Sequence, residues 1–131
     1  MIRIKKSKVK KLPKIKQNIT HEFTVEKGTY NITVGLYKDE TPGEISVTTK
    51  SVDLTIAKSI NFFCNVISLA LQNGTSIKTC IKKLYIELLG KDERLPITQS
   101  ITNYILEWLG QKFLNEEELK EIGIQAPATS T

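Results

Sequence analysis

Residues 18–50 alternate apolar and polar side chains, and then the period changes. In NITHEFTVEK, Ile19, His21, Phe23 and Val25 fall on one side, with Thr20, Glu22 and Thr24 on the other. In YNITVGLY, Tyr30, Ile32, Val34 and Leu36 share a face, and Ile45, Val47 and Thr49 carry the pattern on. Successive side chains of a strand point to opposite faces, so period two over three short runs predicts three strands with one covered face. Lys27-Gly28 turns the chain after the first run. The acidic KDETPGE, Asp39 to Glu44 at its centre, turns it after the second, with Thr-Pro-Gly suiting a tight turn. These runs form an antiparallel meander. Gly35 has no side chain to pack within its strand. It marks either a bulge or the close approach of a ligand or another backbone.

Beyond residue 50 the apolar spacing becomes helical. SVDLTIAKSINFFCNVISLALQ places Ile56, Ile60, Phe63, Ile67 and Ala70 in one stripe, and Phe62, Val66 and Leu69 in a second. One-sided burial needs only one stripe. This helix is therefore expected to lie between the sheet and another helix or subunit. Asn73-Gly74 ends it, and Thr75 or Ser76 can cap the next, SIKTCIKKLYIELLG. There Ile77, Ile81, Leu84 and Leu88 face inward, Lys78 and Lys82 face out, and Gly90 closes the helix. After the charged KDERL, Pro96 starts a third helix, with Ile97, Ile101, Tyr104 or Ile105, Trp108 and the Lys112 stem as its inner row. Asn115 and Glu118 form a capping box for a short last helix that Gly123 stops. Strands followed by helices give an α+β fold: a three-stranded antiparallel meander covered on one face by three helices, with a short C-terminal helix.

Charge is unevenly placed. Of 19 basic residues, eight lie in residues 1–16, which hold no acid; the other 11 face all 14 acidic residues, so the body is net −3 within a chain of +5. The organisation read from this is a basic arm at 1–17, one α+β domain at 18–123 and a disordered tail at 124–131. The arm is either a flexible contact for phosphates or acidic protein, or a linker or edge strand whose lysines block aggregation. It has no interleaved aromatics for base stacking, and the acidic body argues against nucleic acid. No run of 18 apolar residues suggests a membrane span, and no apolar signal core follows the N-terminal charges. Cys64 and Cys80 lack CxxC spacing and read as buried thiols of a cytoplasmic protein.

Chemistry is hard to find. One histidine, His21, excludes a local Ser-His-Asp arrangement, and two Cys with one His are too few for a closed zinc site. No Gly-rich phosphate loop exists, and Glu116–Glu118 read as a helix start rather than a metal site. His21 and Trp108 have ordinary packing roles available. The residues call for no metal and no cofactor, and read as a non-enzymatic binding or interaction domain.

Four segments occur together in order: LPKIKQNITHEF, YNITVGLYKDETPGEISV, ISLALQNG and SITNYILEWLGQKFL. They resemble the C-terminal accessory domain of class II, adenosylcobalamin-dependent ribonucleotide reductases, over roughly residues 12–114. Matching positions include Leu12, Pro13, His21, Phe23, Gly35, Tyr37, Pro42, Gly43, Ser68, Gln72, Gly74, Tyr104 and Trp108. The family's catalytic barrel, radical-site cysteine loop, cobalamin-binding part and Cys-rich tail have no counterpart here. Asn103 stands where the family has Asp. The resemblance therefore implies the fold and an association with nucleotides, but no reductase activity.

Two functions follow. The first is a split accessory subunit docking on a reductase catalytic subunit through its arm. The second is a stand-alone nucleotide-binding protein, such as a phage anti-defence sponge for cyclic nucleotide immune signals, with a pocket at the interface of a homo-oligomer. Its candidate ligand-binding residues are Tyr37, Lys82, Lys83 and Arg94.

Overall fold

The computed structural model describes residues 9–13, 17–50, 53–89 and 96–127, with 88, 89, 96 and 97 as backbone alone. The expectations for residues 1–8 and 14–16 of the arm, the Leu88 and Ile97 side chains, Gly90, the 91–95 loop with Arg94, and the end of the tail lie outside these residues.

Three strands form one antiparallel sheet in the order β1-β2-β3, with β1 at Asn18–Val25, β2 at Gly28–Leu36 and β3 at Pro42–Thr49. Phe23, Tyr30, Ile32, Val34, Leu36, Ile45 and Val47 are buried on one face, as the alternation predicts. On the other face Thr20, Glu22, Thr24, Thr29, Ser46 and Thr48 are exposed. Glu26 takes the left-handed conformation (φ 55°) between β1 and β2.

The second connection corrects the sequence reading. Pro42 and Gly43 are buried residues of β3, and the turn lies before them. The Tyr37 amide donates to the Thr41 carbonyl and the Glu40 amide to the Tyr37 carbonyl, which closes it, and Asp39 accepts from both the Thr41 amide and its hydroxyl. Proline is tolerated there because it opens an edge strand. The pairing shifts between Gly35 and Leu36, so a bulge lies beside Gly35 but on the facing strand. The extra residue is Gly43 on β3, where a Cβ would come within 2.5 Å of the Tyr37 ring.

Helices α1 (Leu54–Gln72), α2 (Ile77–Leu89), α3 (Pro96–Phe113) and α4 (Glu116–Ile122) follow. Asp53 caps α1 by accepting from the Thr55 and Ile56 amides, and Ser76 accepts from Thr79 at the start of α2. Asn115 and Glu118 form the expected capping box, and Gly123 (φ 96°) ends α4. α1 packs on β3, α3 touches β1 and α1, α2 leans chiefly on α3, and α4 on α2. The core joins the inner sheet face to Ile60, Cys64, Ile67 and Leu71 of α1, Ile81 and Tyr85 of α2, and Ile101, Ile105, Trp108 and Leu109 of α3. Each such aliphatic side chain contributes about 1.5–3 kcal/mol through burial.

Three expectations for the helices change. Ile56, Phe63 and Ala70 only border the core, while Cys64, Ser68 and Leu71 complete the inner row of α1. Lys112 is exposed. By length and composition α1 could cross a bilayer, alone among the described residues, contrary to the reading from apolar runs. Its inner row packs against the protein's own sheet and core, while a second apolar stripe with Leu54, Phe62, Val66 and Leu69 is exposed.

Candidate functional site

A polar side chain on the inner face of a helix must find a partner. α1 carries two, Ser68 and Gln72, one turn apart. Ser68 is buried, and its Oγ accepts the Ile45 amide at 2.8 Å. The same oxygen lies 3.1 Å from the Ile45 carbonyl and 2.9 Å from that of Cys64, and its single proton serves one of them. Gln72 Nε2 donates to the Gly43 carbonyl at 3.0 Å. Both bonds end on the outer edge of β3, which α1 thereby covers.

The visible part of the arm enters at the same corner. The Lys10 amide donates to the Gln72 carbonyl at 2.8 Å, and the Tyr37 hydroxyl donates to the Lys10 carbonyl. Lys10 Nζ stands 4.3 Å from the centre of the Tyr37 ring, within cation–π range. A Cβ on Gly43 would meet Leu12 as well as Tyr37, so the glycine admits both. Burial, then the nearby Asp39 carboxylate, pushes the Tyr37 phenol up. Leu12, Tyr37, Gly43 and Gln72 thus form one anchor for the chain that enters the domain.

At the opposite strand, His21 and Tyr104 join β1 to α3. Their Nε2 and Oη are 2.7 Å apart. The His21 ring lies parallel to Trp108, 5.1 Å between centroids, and Tyr104 stacks on Phe23 at 4.3 Å. Burial raises the Tyr104 phenol. His21 is a half-buried, bonded histidine and Trp108 a core residue, as their packing readings hold. The chain's one imidazole is bonded to Tyr104, and both cysteines are buried and free. Among the described residues no three His, Cys, Asp or Glu groups gather to hold a metal ion.

Of the candidate ligand residues, Lys82 and Lys83 come together on α2. With Lys78, Leu84, Ile86 and Glu87 they line an open groove of about 680 Å³. Lys82 donates to Glu121 at 2.8 Å and Lys78 lies 3.1 Å from the same carboxylate. Lys82 and then Lys78 hold the Glu121 carboxyl below the usual range. Tyr37 belongs to the arm anchor instead, and Arg94 lies outside the described residues. Ser68, Gln72 and Lys10 were missed as contacts. The signal available for the first two was their spacing of four on an apolar helix face beside Ile67 and Leu71.

The TSCPD domain model matches residues 5–113, which include both the arm anchor and the His21–Trp108 stack. The chain belongs to the TSCPD domain family. It is also similar to three vitamin B12-dependent ribonucleotide reductases, at 30% identity in each case. That of Rhodopirellula baltica matches over 115 residues, 84% of this chain and 11% of the relative. Those of Streptantibioticus cattleyicolor and Streptomyces avermitilis match over 122 residues, 89% of this chain and 20% and 13% of theirs. This TSCPD domain therefore spans a fifth or less of the length of these relatives, and is related to a ribonucleotide reductase accessory domain. No solved structure matches it significantly.

Proposed function

We propose that this TSCPD protein is a non-catalytic accessory module that docks on the catalytic part of a B12-dependent ribonucleotide reductase. One observation carries the reading. The similarity runs from the arm through the body, and Lys10 and Leu12 of the arm are built into the corner of Tyr37, Gly43 and Gln72. The path of the chain into the domain is therefore fixed at that corner. A catalytic partner would meet the basic residues of the arm there, and this contact should weaken with salt. The test mixes the protein with a B12-dependent reductase catalytic polypeptide whose own matching segment has been removed. Co-elution, weakened when residues 1–8 are deleted, supports the reading; separate elution at low salt overturns it.

The groove of Lys82 and Lys83 favours a second reading, nucleotide binding by the module itself. Its lysines would meet phosphates and the apolar stems beside them a base. Glu87 and the Glu121 pair oppose an anion there, so we rank it second. Calorimetry with linear and cyclic nucleotides tests it: heat lost in Lys83→Ala supports it, and no heat with any nucleotide ends it.

A further inference from the structure

Helix α1 carries two apolar stripes, and among the described residues only one has a partner. While Ile60, Cys64, Ile67 and Leu71 are buried, Leu54, Phe62, Val66 and Leu69 are 70%, 72%, 45% and 64% exposed. At about 100° per residue these four share one face, spread over roughly 120° of the helix. Scattered exposed apolar residues are ordinary, but a row is not. Together they present on the order of 400 Å² of apolar surface, within the roughly 300–600 Å² of the largest patch on a typical monomer, a patch that is often functional.

We infer that this face is the contact between two copies of the chain, their α1 helices antiparallel about a two-fold axis at Phe62. A two-fold axis demands a surface complementary to itself. Antiparallel pairing about Phe62 sets that ring against its own copy. It brings Leu54 beside Leu69 and Ala70, and Lys58 beside Val66.

Charge agrees with this occupant. Lys58 is the one charged residue within the 19 of α1, so the face offers little by which a charged foreign surface could be selected. The last turn of α1 has no basic residue to offset the partial negative charge of its end carbonyls. In the antiparallel pair, the flexible Lys58 stem of each copy runs toward that end of the other. The two Lys58 positions are eight residues apart along the axis, about 12 Å. That exceeds the Debye length of about 8 Å at physiological salt, so their repulsion is screened. The polar Thr55, Asn65 and Asn73 within this face, and Ser59 at its margin, widen the contact toward the roughly 800 Å² per partner of a standard interface. A contact that starts below the standard size calls for a weak, reversible dimer, and it is independent of the accessory reading.

Sedimentation of the full chain across micromolar concentrations tests this directly. A reversible dimer is expected. Phe62→Glu should raise its dissociation constant roughly 30-fold or more, as loss of a central aromatic contact does, with circular dichroism unchanged because the side chain is exposed. On mild oxidation Phe62→Cys should form a disulfide-linked dimer, whereas Glu22→Cys, on the bare sheet face, should not. A monomer throughout the range, a dimer that survives Phe62→Glu, or equal cross-linking of both cysteine variants would overturn the inference. So would shielding of the Phe62 face only when a reductase catalytic polypeptide is added.

Discussion

The two edges of the sheet are finished in opposite ways. Along β3, Ser68 and Gln72 of α1 reach the strand's outward backbone groups at Ile45 and Gly43. Along β1 the arrangement differs. Leu36 donates to the Gln17 carbonyl, so the odd-numbered residues of β1 bond to β2. The amides and carbonyls of Asn18, Thr20, Glu22 and Thr24 then point outward, and no backbone partner meets them among the described residues. α3 holds β1 by side chains alone, through His21–Tyr104 and the aromatic stack. A covered edge cannot recruit another strand, whereas a bare one can. Among the described residues, the sheet is covered by its own helix at Gly43 and Ile45 on one edge and is bare along β1 on the other.

The sharpest way to break this contrast is at Ser68. Ser68→Ala leaves the buried Ile45 amide without its acceptor, which costs about 1–3 kcal/mol. Urea denaturation should show that loss, and the Ile45 amide should exchange with solvent faster. An unchanged midpoint would mean that α1 covers the edge by packing alone. Gln72→Ala removes one bond to a carbonyl closer to solvent, and about 0.5–1.5 kcal/mol is expected. The Lys10 amide bonds to the Gln72 backbone carbonyl, which alanine keeps, so proteolysis within the arm should hardly change.

On the β1 side, Tyr104→Phe should cost about 1 kcal/mol by removing the bond to His21. The same phenol gives a dependence on pH. Burial raises its folded value above the ordinary 10.0. The folded state therefore holds its proton more tightly, a stabilisation present in full below pH 10 and lost as the pH climbs through the raised value. Wild type should lose stability over that window more steeply than Tyr104→Phe. Tyr85, pushed up to about 12 by burial and by Glu107, contributes equally to both proteins and cancels. Identical alkaline profiles would show that burial does not hold the Tyr104 proton in the folded state.

The meander and the helix order could be read from the sequence because period two and period 3.6 leave different marks, and because Asn73-Gly74, Pro96, Asn115 and Gly123 punctuate them locally. The edges could not. Whether Ser68 faces Ile45 depends on which way α1 lies across β3, and no local spacing encodes that. The KDETPGE turn was misplaced for a related reason. Pro-Gly is a turn signal in isolation, but here Tyr37 and Leu12 occupy the space over Gly43 and draw it into the strand. Ser68, Gln72, Tyr37 and Trp108 appear in the family resemblance as matching letters, and the fold turns them into an edge cover, an arm anchor and a core ring.

The smallest change in stability should come from Glu22, which is exposed on β1 and is the one acid in that strand. Surface substitutions of this kind stay within about 0.5 kcal/mol. Yet Glu22→Val leaves the exposed positions 20, 22 and 24 all uncharged β-formers on a bare edge, which is the pattern that recruits further strands. The melting temperature should hardly move, while light scattering after prolonged incubation should rise. Glu44→Val is the matched control on β3, whose edge α1 covers, and it should aggregate no faster than wild type. Amide exchange provides the same comparison without mutation: Thr20, Glu22 and Thr24 should exchange quickly and Ile45 slowly. If Glu22→Val and Glu44→Val aggregate alike, or if the β1 amides are as protected as Ile45, then something outside the described residues already covers β1, and the two edges are not finished differently after all.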